Sequence, residues 1–208
     1  GESQSNVGLA TLNPASVELT HLGMGQAECI ADYLEVHVCP ERIVTSCYLR
    51  ARQTAAPTKS RFSSVPVEEW PVHEFTYLSL TEFLFFSTVE DRKPLVDAYW
   101  ELCDPRSVDG PESESFEQFI ARVQGVMSRF AEAKRDQTIV IFTHEQFICA
   151  VYWLLKCKPA RISSEAMREF RAFLLENSIP NAGLLQLQRH DEADDWQPDL
   201  IWPLVTYV

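Results

Sequence analysis

The sequence predicts a layered α/β fold, and three observations carry that prediction. Strand-like and helix-like segments alternate along the 208 residues, with no internal repeat and no low-complexity linker. Residues 138–143, TIVIFT, form a continuous β-branched and apolar run of strand length, as expected of a central strand buried on both faces. Phe116, Phe119, Ile120, Val123, Val126, Met127 and Phe130 recur at three- and four-residue intervals, which makes this the clearest amphipathic helix in the chain.

Each element has its own local signal. Thr20 is an N-cap candidate, and Leu22, Ala27, Ile30, Ala31 and Leu34 follow it as a helical stripe that ends before Pro40. Residues 42–46, RIVTS, read as a short buried strand. YLRARQTAAP then starts a helix that Pro57 is expected to close. Residues 65–73 are extended and carry two prolines, which suits a short or edge strand. The stretch from Phe75 to Pro111 holds SLTEFLFFST, a polar turn and PLVDAYWEL; it reads either as an inserted helical excursion or lid, or as plain aromatic core. Ser115 and Gln118 have capping-box spacing at the head of the amphipathic helix. After the 138–143 strand comes His144, and then the apolar helix QFICAVYWLL. Residues 182–188 alternate like a strand. LIWPLVTYV reads as an edge strand or an irregular stretch around Pro203.

Composition narrows the function. The hydrophobic fraction of 46% and the charged fraction of 23% exclude general disorder. A net charge of −12 makes nucleic acid and anionic membrane poor partners for the overall field. An anionic ligand would need a few locally concentrated cations. No apolar run reaches the length of a membrane span. The six cysteines form no C-x-x-C pair and stand at no metal-ligand spacing with histidine, so reduced thiols and a cytoplasmic location are expected.

In open α/β sheets, ligands bind beyond the carboxyl ends of the strands. Ser46–Arg50 and Thr143–His144 are two such places, and the loop-like opening GESQSN suggests a third. Arg50 can grip two phosphate oxygens through parallel hydrogen bonds. His144 stands at the end of what reads as the most buried strand, and Glu74 ends the extended segment PVHE.

These residues carry a resemblance. GESQSN resembles the part of the R-H-G-E-S-x-x-N signature of the histidine phosphatase superfamily that comes after its Arg-His. LTHLGMGQA (19–27), TSCYLRARQTA (45–55), Glu74 and IVIFTH (139–144) continue the match in order. The resemblance covers most of the chain apart from about 76–111. It implies a phosphoglycerate-mutase-like three-layer α/β/α sandwich with a mostly parallel central sheet, formed as one domain over 1–208 with the excursion at about 75–111. It also implies phosphomonoester hydrolysis through a phosphohistidine, with no metal or cofactor, acting on a small phosphorylated substrate. Arg50 and His144 then resemble the phosphate-holding arginine and second histidine, and Glu74 the proton donor. Asn6 resembles the phosphate-binding asparagine, with Ser3 and Gln4 lining the same loop.

The sequence departs from the family pattern in places. It begins one residue after the expected nucleophile, so the natural chain is expected to continue upstream into a strand ending in Arg-His. Of the other histidines only His73 is near the expected site, and its spacing is wrong for the nucleophile. Glu145 stands where the family usually has glycine, either pointing away or narrowing the substrate range. The residues after Glu74 are apolar and aromatic rather than basic, which favours a phosphatase over a mutase. A phosphate-ligand-binding pseudo-enzyme is the alternative from another class. The substrate and the oligomeric state are not legible.

Overall fold

A computed structural model describes residues 1–10, 13–79, 87–134, 137–189 and 196–201. Its centre is a parallel sheet of β1 (Arg42–Thr45), β2 (Val67–Glu69) and β3 (Ile139–Phe142), in the order β2-β1-β3. Ile43 lies opposite Val67 on one side and Val140 on the other. β1 is therefore the central strand among the described residues, and its Ile43 and Val44 are wholly buried. This corrects the expectation for TIVIFT: β3 has a strand partner on one side only among the described residues, and Ile139, Val140 and Ile141 are half-buried. β2, rich in glutamate and flanked by Pro66, lies at the other edge, as its prolines predict.

Because side chains alternate across a strand, the sheet separates two cores. On one face Ile43 and Phe142 pack with Ile30 and Leu34 of α1 (His21–His37) and Ala55 of α2 (Leu49–Arg61). On the other face Val44 belongs to a larger cluster with α4 (Phe116–Glu132), α5 (Glu145–Cys157) and α6 (Ser164–Glu176). The result is a three-layer α/β/α sandwich. A separate antiparallel pair, β4 (Leu184–Arg189) and β5 (Trp196–Ile201), follows α6.

The caps are where the sequence puts them. The Thr20 hydroxyl accepts from Gly23 N at 3.0 Å, and Ser115 and Gln118 form a reciprocal capping box. Gly23 is required there: a Cβ would collide with the Glu2 carbonyl oxygen, which the first turn of α1 approaches.

Two expectations are corrected, and one helix is added. α2 runs through Pro57 to Arg61, and its buried face, Ala51, Ala55 and Thr58, packs over the sheet and α1. One lost backbone hydrogen bond is outweighed by that packing. The polar turn VEDRK is instead the first turn of α3 (Val89–Leu102), started by a Thr88–Asp91 capping box and continuing through Pro94. α6 is a further helix, capped by Ser163, that carries Met167, Phe170, Phe173 and Leu174 into the core. Within the 75–111 stretch, Phe75, Tyr99 and Trp100 are core residues, packed around Phe116 and Phe119. Leu80–Phe86 of SLTEFLFFST lies outside the described residues, as do His190 and the Pro203 end of LIWPLVTYV.

All six cysteines are free thiols, with Cys103 and Cys149 buried. Among the described residues, no helix is long and apolar enough to cross a membrane.

Candidate active site

The three parallel strands end at the same edge of the sheet, so the segments that leave them converge. The turn after β1 delivers Ser46, Tyr48 and Arg50. The extended segment 70–76 after β2 delivers Glu74. The step from β3 into α5 delivers His144, the N-cap of that helix. Together with Ser3 and Asn6 from the first loop, Arg50, Glu74 and His144 line one cavity of about 460 Å³.

Arg50 is anchored and half-free. Its Nη1 donates to the Pro14 carbonyl at 2.6 Å, and its guanidinium lies 4.9 Å from the centre of the Tyr48 ring. Its Nε and Nη2 donate to no described residue, which leaves the side-on fork open to an oxyanion. Tyr48 is a hub: its ring stacks on His73 at 5.9 Å and meets His144 edge-on at 5.1 Å, and its hydroxyl is 3.3 Å from that of Thr76.

His144 is buried, with Nε2 2.9 Å from the Ser46 hydroxyl. Burial, and then the Arg50 charge, push its pKa well below the usual histidine value. A bound dianion would work the opposite way and favour the imidazolium.

Glu74 has the reverse perturbation. Its carboxyl is pushed from 4.5 up to about 7 by burial, and Arg50 and two backbone donors pull against that rise. Those donors are Phe75 N at 3.1 Å and Gln146 N at 3.2 Å, both directed at Oε1. Glu74 thus serves as a cap for the first turn of α5, whose own N-cap His144 makes no side-chain capping bond.

Asn6 folds back on its own loop. Its Oδ1 accepts from the backbone N and the hydroxyl of Ser3, both at 2.8 Å, and its Nδ2 donates to no described residue. Gln4 departs from expectation: it is not in the cavity wall, because backbone bonds to Glu18 and Leu9 turn it onto the neighbouring segment. Glu145 also lines the cavity, with its carboxylate turned to the loop before β4. Its Oε1 accepts from the Ser178 hydroxyl at 2.7 Å and from Ile179 N at 3.1 Å, which ties the cavity wall at Ile179–Asn181 to α5. Its charge also adds to the rise in the Glu74 pKa.

Several residues of the site escaped sequence reasoning. Ser46 and Tyr48 lie in the strand-end segment already marked by Arg50, and that position was their signal. Arg122 and Glu114 had none. Arg122 pairs with Glu114, donates from Nη1 to the carbonyls of Pro71 and His73 at 2.9 Å each, and so braces the segment that carries Glu74. Glu114 completes the brace by accepting from Thr76 N and donating its own N–H to the Thr76 carbonyl. Arg92 also lines the cavity, from the helix turn that reads in sequence as a polar loop.

The sequence pattern of the histidine phosphatase superfamily, branch 1, matches residues 1–176. The chain belongs to the histidine phosphatase superfamily. Solved structures agree at the level of fold. A mycobacterial glucosyl-3-phosphoglycerate phosphatase superposes with a TM-score of 0.69 at 22% identity, covering 97% of this chain and 94% of that one. The same enzyme with inorganic phosphate gives 0.66 at 22%, covering 97% and 92%. The α-ribazole phosphatase of Shigella flexneri gives 0.71 at 19%, covering 100% and 96%. No curated protein sequence matches the chain. Glu74, His144 and Arg50 come from the ends of three different strands to one cavity wall.

Proposed function

We propose that this chain is a cytoplasmic, metal-independent phosphomonoesterase that works through a phosphohistidine. Arg50, His144 and Asn6 hold the phosphoryl oxygens, with Ser3 fixing Asn6. The nucleophilic histidine is expected immediately ahead of Gly1, and in support Gly1 lines the same cavity beside Ser3 and Asn6. The histidine nitrogen attacks phosphorus, the bond to the leaving oxygen breaks, and Glu74 delivers its proton to that oxygen. Water then attacks the phosphohistidine, gives a proton back to Glu74, and inorganic phosphate leaves as the N–P bond breaks. A carboxyl that titrates near 7 suits both halves of this cycle. Six unpaired thiols support the cytoplasmic location.

One observation carries the reading: Arg50, Glu74, His144 and Asn6, far apart in sequence, line one cavity where parallel strands end. The test is hydrolysis of p-nitrophenyl phosphate by the natural full-length polypeptide, with and without chelator. Chelator-resistant turnover that falls at least about a hundredfold in His144→Ala is expected. Phosphoryl exchange within one substrate, without phosphate release, would instead indicate a mutase. Binding of phosphate without turnover would favour the pseudo-enzyme, a reading helped by His144 being the one histidine in the described cavity wall.

A further inference from the structure

Glu145, which replaces the glycine usual in the family, lines the cavity, and the reaction above gives it no task. It opens α5, directly after His144 and directly before Gln146, whose N–H donates to Glu74 at 3.2 Å. Two carboxylates of separate origin therefore meet on one helical turn: Glu74 from the segment after β2, Glu145 from α5 itself. The loop before β4 fixes the second of them. The Ser178 hydroxyl and Ile179 N converge on the same oxygen, Oε1, at 2.7 and 3.1 Å. One turn further along the same face of α5, the Cys149 thiol donates to the Asn177 carbonyl at 3.4 Å. The loop is thus docked on α5 at two points, and its start is tied back to α6, where N and Nδ2 of Asn177 both donate to the Phe173 carbonyl. Around Glu74 the described charges are few. Tyr48, Tyr77 and Cys149 are raised by burial and stay neutral at pH 7, and burial also keeps His73 and His144 neutral. On the α4 side Arg122 is paired with Glu114, and Arg92 of α3 acts on Tyr77. That leaves Arg50, from α2, drawing the proton off Glu74 and Glu145 holding it on.

We propose that Glu145 is a positioning residue: docked on the loop before β4, it sets a second carboxylate on the turn that Glu74 caps, and of the two it is Glu74 that keeps a proton. Like charges on one turn repel, and a proton on Glu74 removes the repulsion. The loop before β4 thus widens the pH range over which the acid is loaded, and glycine at position 145 would give that up. For turnover this rests on the reading that Glu74 is the proton donor; for the titration of Glu74 it does not.

The titration of Glu74, followed by NMR, tests the pairing without any reaction. In the natural full-length polypeptide, isotope-labelled at the glutamate side-chain carboxyl carbons, the Glu74 resonance is the one that Glu74→Gln removes, and its midpoint is expected at about 7. Both loop donors meet at one oxygen, so Glu145→Gln can keep both bonds and lose only the charge. It is expected to lower the midpoint by at least about 0.5 pH unit. Ser178→Ala keeps the charge but removes one anchor, and is expected to lower the midpoint by a smaller, measurable amount. Glu41→Gln, beside the start of β1 and so at the opposite end of the sheet, controls for net charge and is expected to leave the midpoint in place at about 150 mM salt. A smaller fall in Glu145→Gln, or an equal fall in Glu41→Gln, overturns the pairing; an unmoved midpoint in Ser178→Ala overturns the part given to the loop. Single-turnover release of phenol from phenyl phosphate reads the consequence. Glu145→Gln is expected to be about threefold slower than the parent at about pH 8 and equal to it at about pH 5.5. A midpoint that falls while phenol release keeps its pH dependence leaves the pairing standing and overturns Glu74 as the donor.

Discussion

Glu74 keeps its proton near neutrality because its carboxylate would be buried with too few donors to replace water. Arg50 and two backbone N–H groups offset only part of that cost. In the unfolded chain the same carboxyl ionises near 4.5, so between about 4.5 and 7 the folded chain binds more protons than the unfolded one. The stability contributed by Glu74 is fully present below that window and is lost as pH rises through it. The loss is on the order of 3 kcal/mol. Glu74→Gln should therefore gain stability relative to the parent between pH 5 and 8, measured as the difference between their denaturation free energies. His144 pulls the other way: it is neutral when buried, and it loses stability as pH falls below about 6.5. In the first half-reaction, read as single-turnover release of the alcohol, Glu74→Gln should slow phenyl phosphate by roughly 10²–10⁴-fold and p-nitrophenyl phosphate far less, because nitrophenolate leaves without a proton. The parent's rate on phenyl phosphate should decline above about pH 7, where the acid form of Glu74 is exhausted.

Residues 71–76 bear the acid without belonging to a strand, so their backbone polar groups need side-chain partners. Arg122 and Glu114 provide them, with side chains only 13% and 17% exposed. Removing one member leaves the other buried and unpaired. Arg122→Ala should cost about 3 kcal/mol or more in urea denaturation. At the head of α4, Ser115→Ala should cost about 1 kcal/mol by breaking the capping box. α4 was legible in sequence because cap and stripe agree, and they act over neighbouring residues. The Arg122 brace was not, because it joins positions about fifty residues apart that no local pattern connects. α6 lay within reach: Ser163 and the spacing of Met167, Phe170, Phe173 and Leu174 announce it. Pro57 misled because tertiary packing can override a local stop signal.

Across the whole molecule, a net charge of −12 surrounds a cavity that holds two arginines. At low ionic strength the long-range field opposes an arriving dianion, and salt screens it over about a Debye length. The association rate constant of methylphosphonate should therefore rise between about 10 and 150 mM salt, measured by stopped-flow. A fall would show that the local arginines dominate the approach. The order of layers was legible because strands and helices alternate, and the strand ends marked where Arg50 and His144 would meet. The far wall, with Arg92, was not legible, because its side of the cavity is fixed by how α3 docks and by no motif. The helix that begins at His144 and runs into the larger core starts its first turn on the carboxylate of Glu74. Each time that oxygen gains a hydrogen ion the grip on the amide of Gln146 slackens, and each time it gives one up the grip tightens. Deuterium uptake at this single amide should therefore act as a gauge of the acid's occupancy, readable without following any reaction.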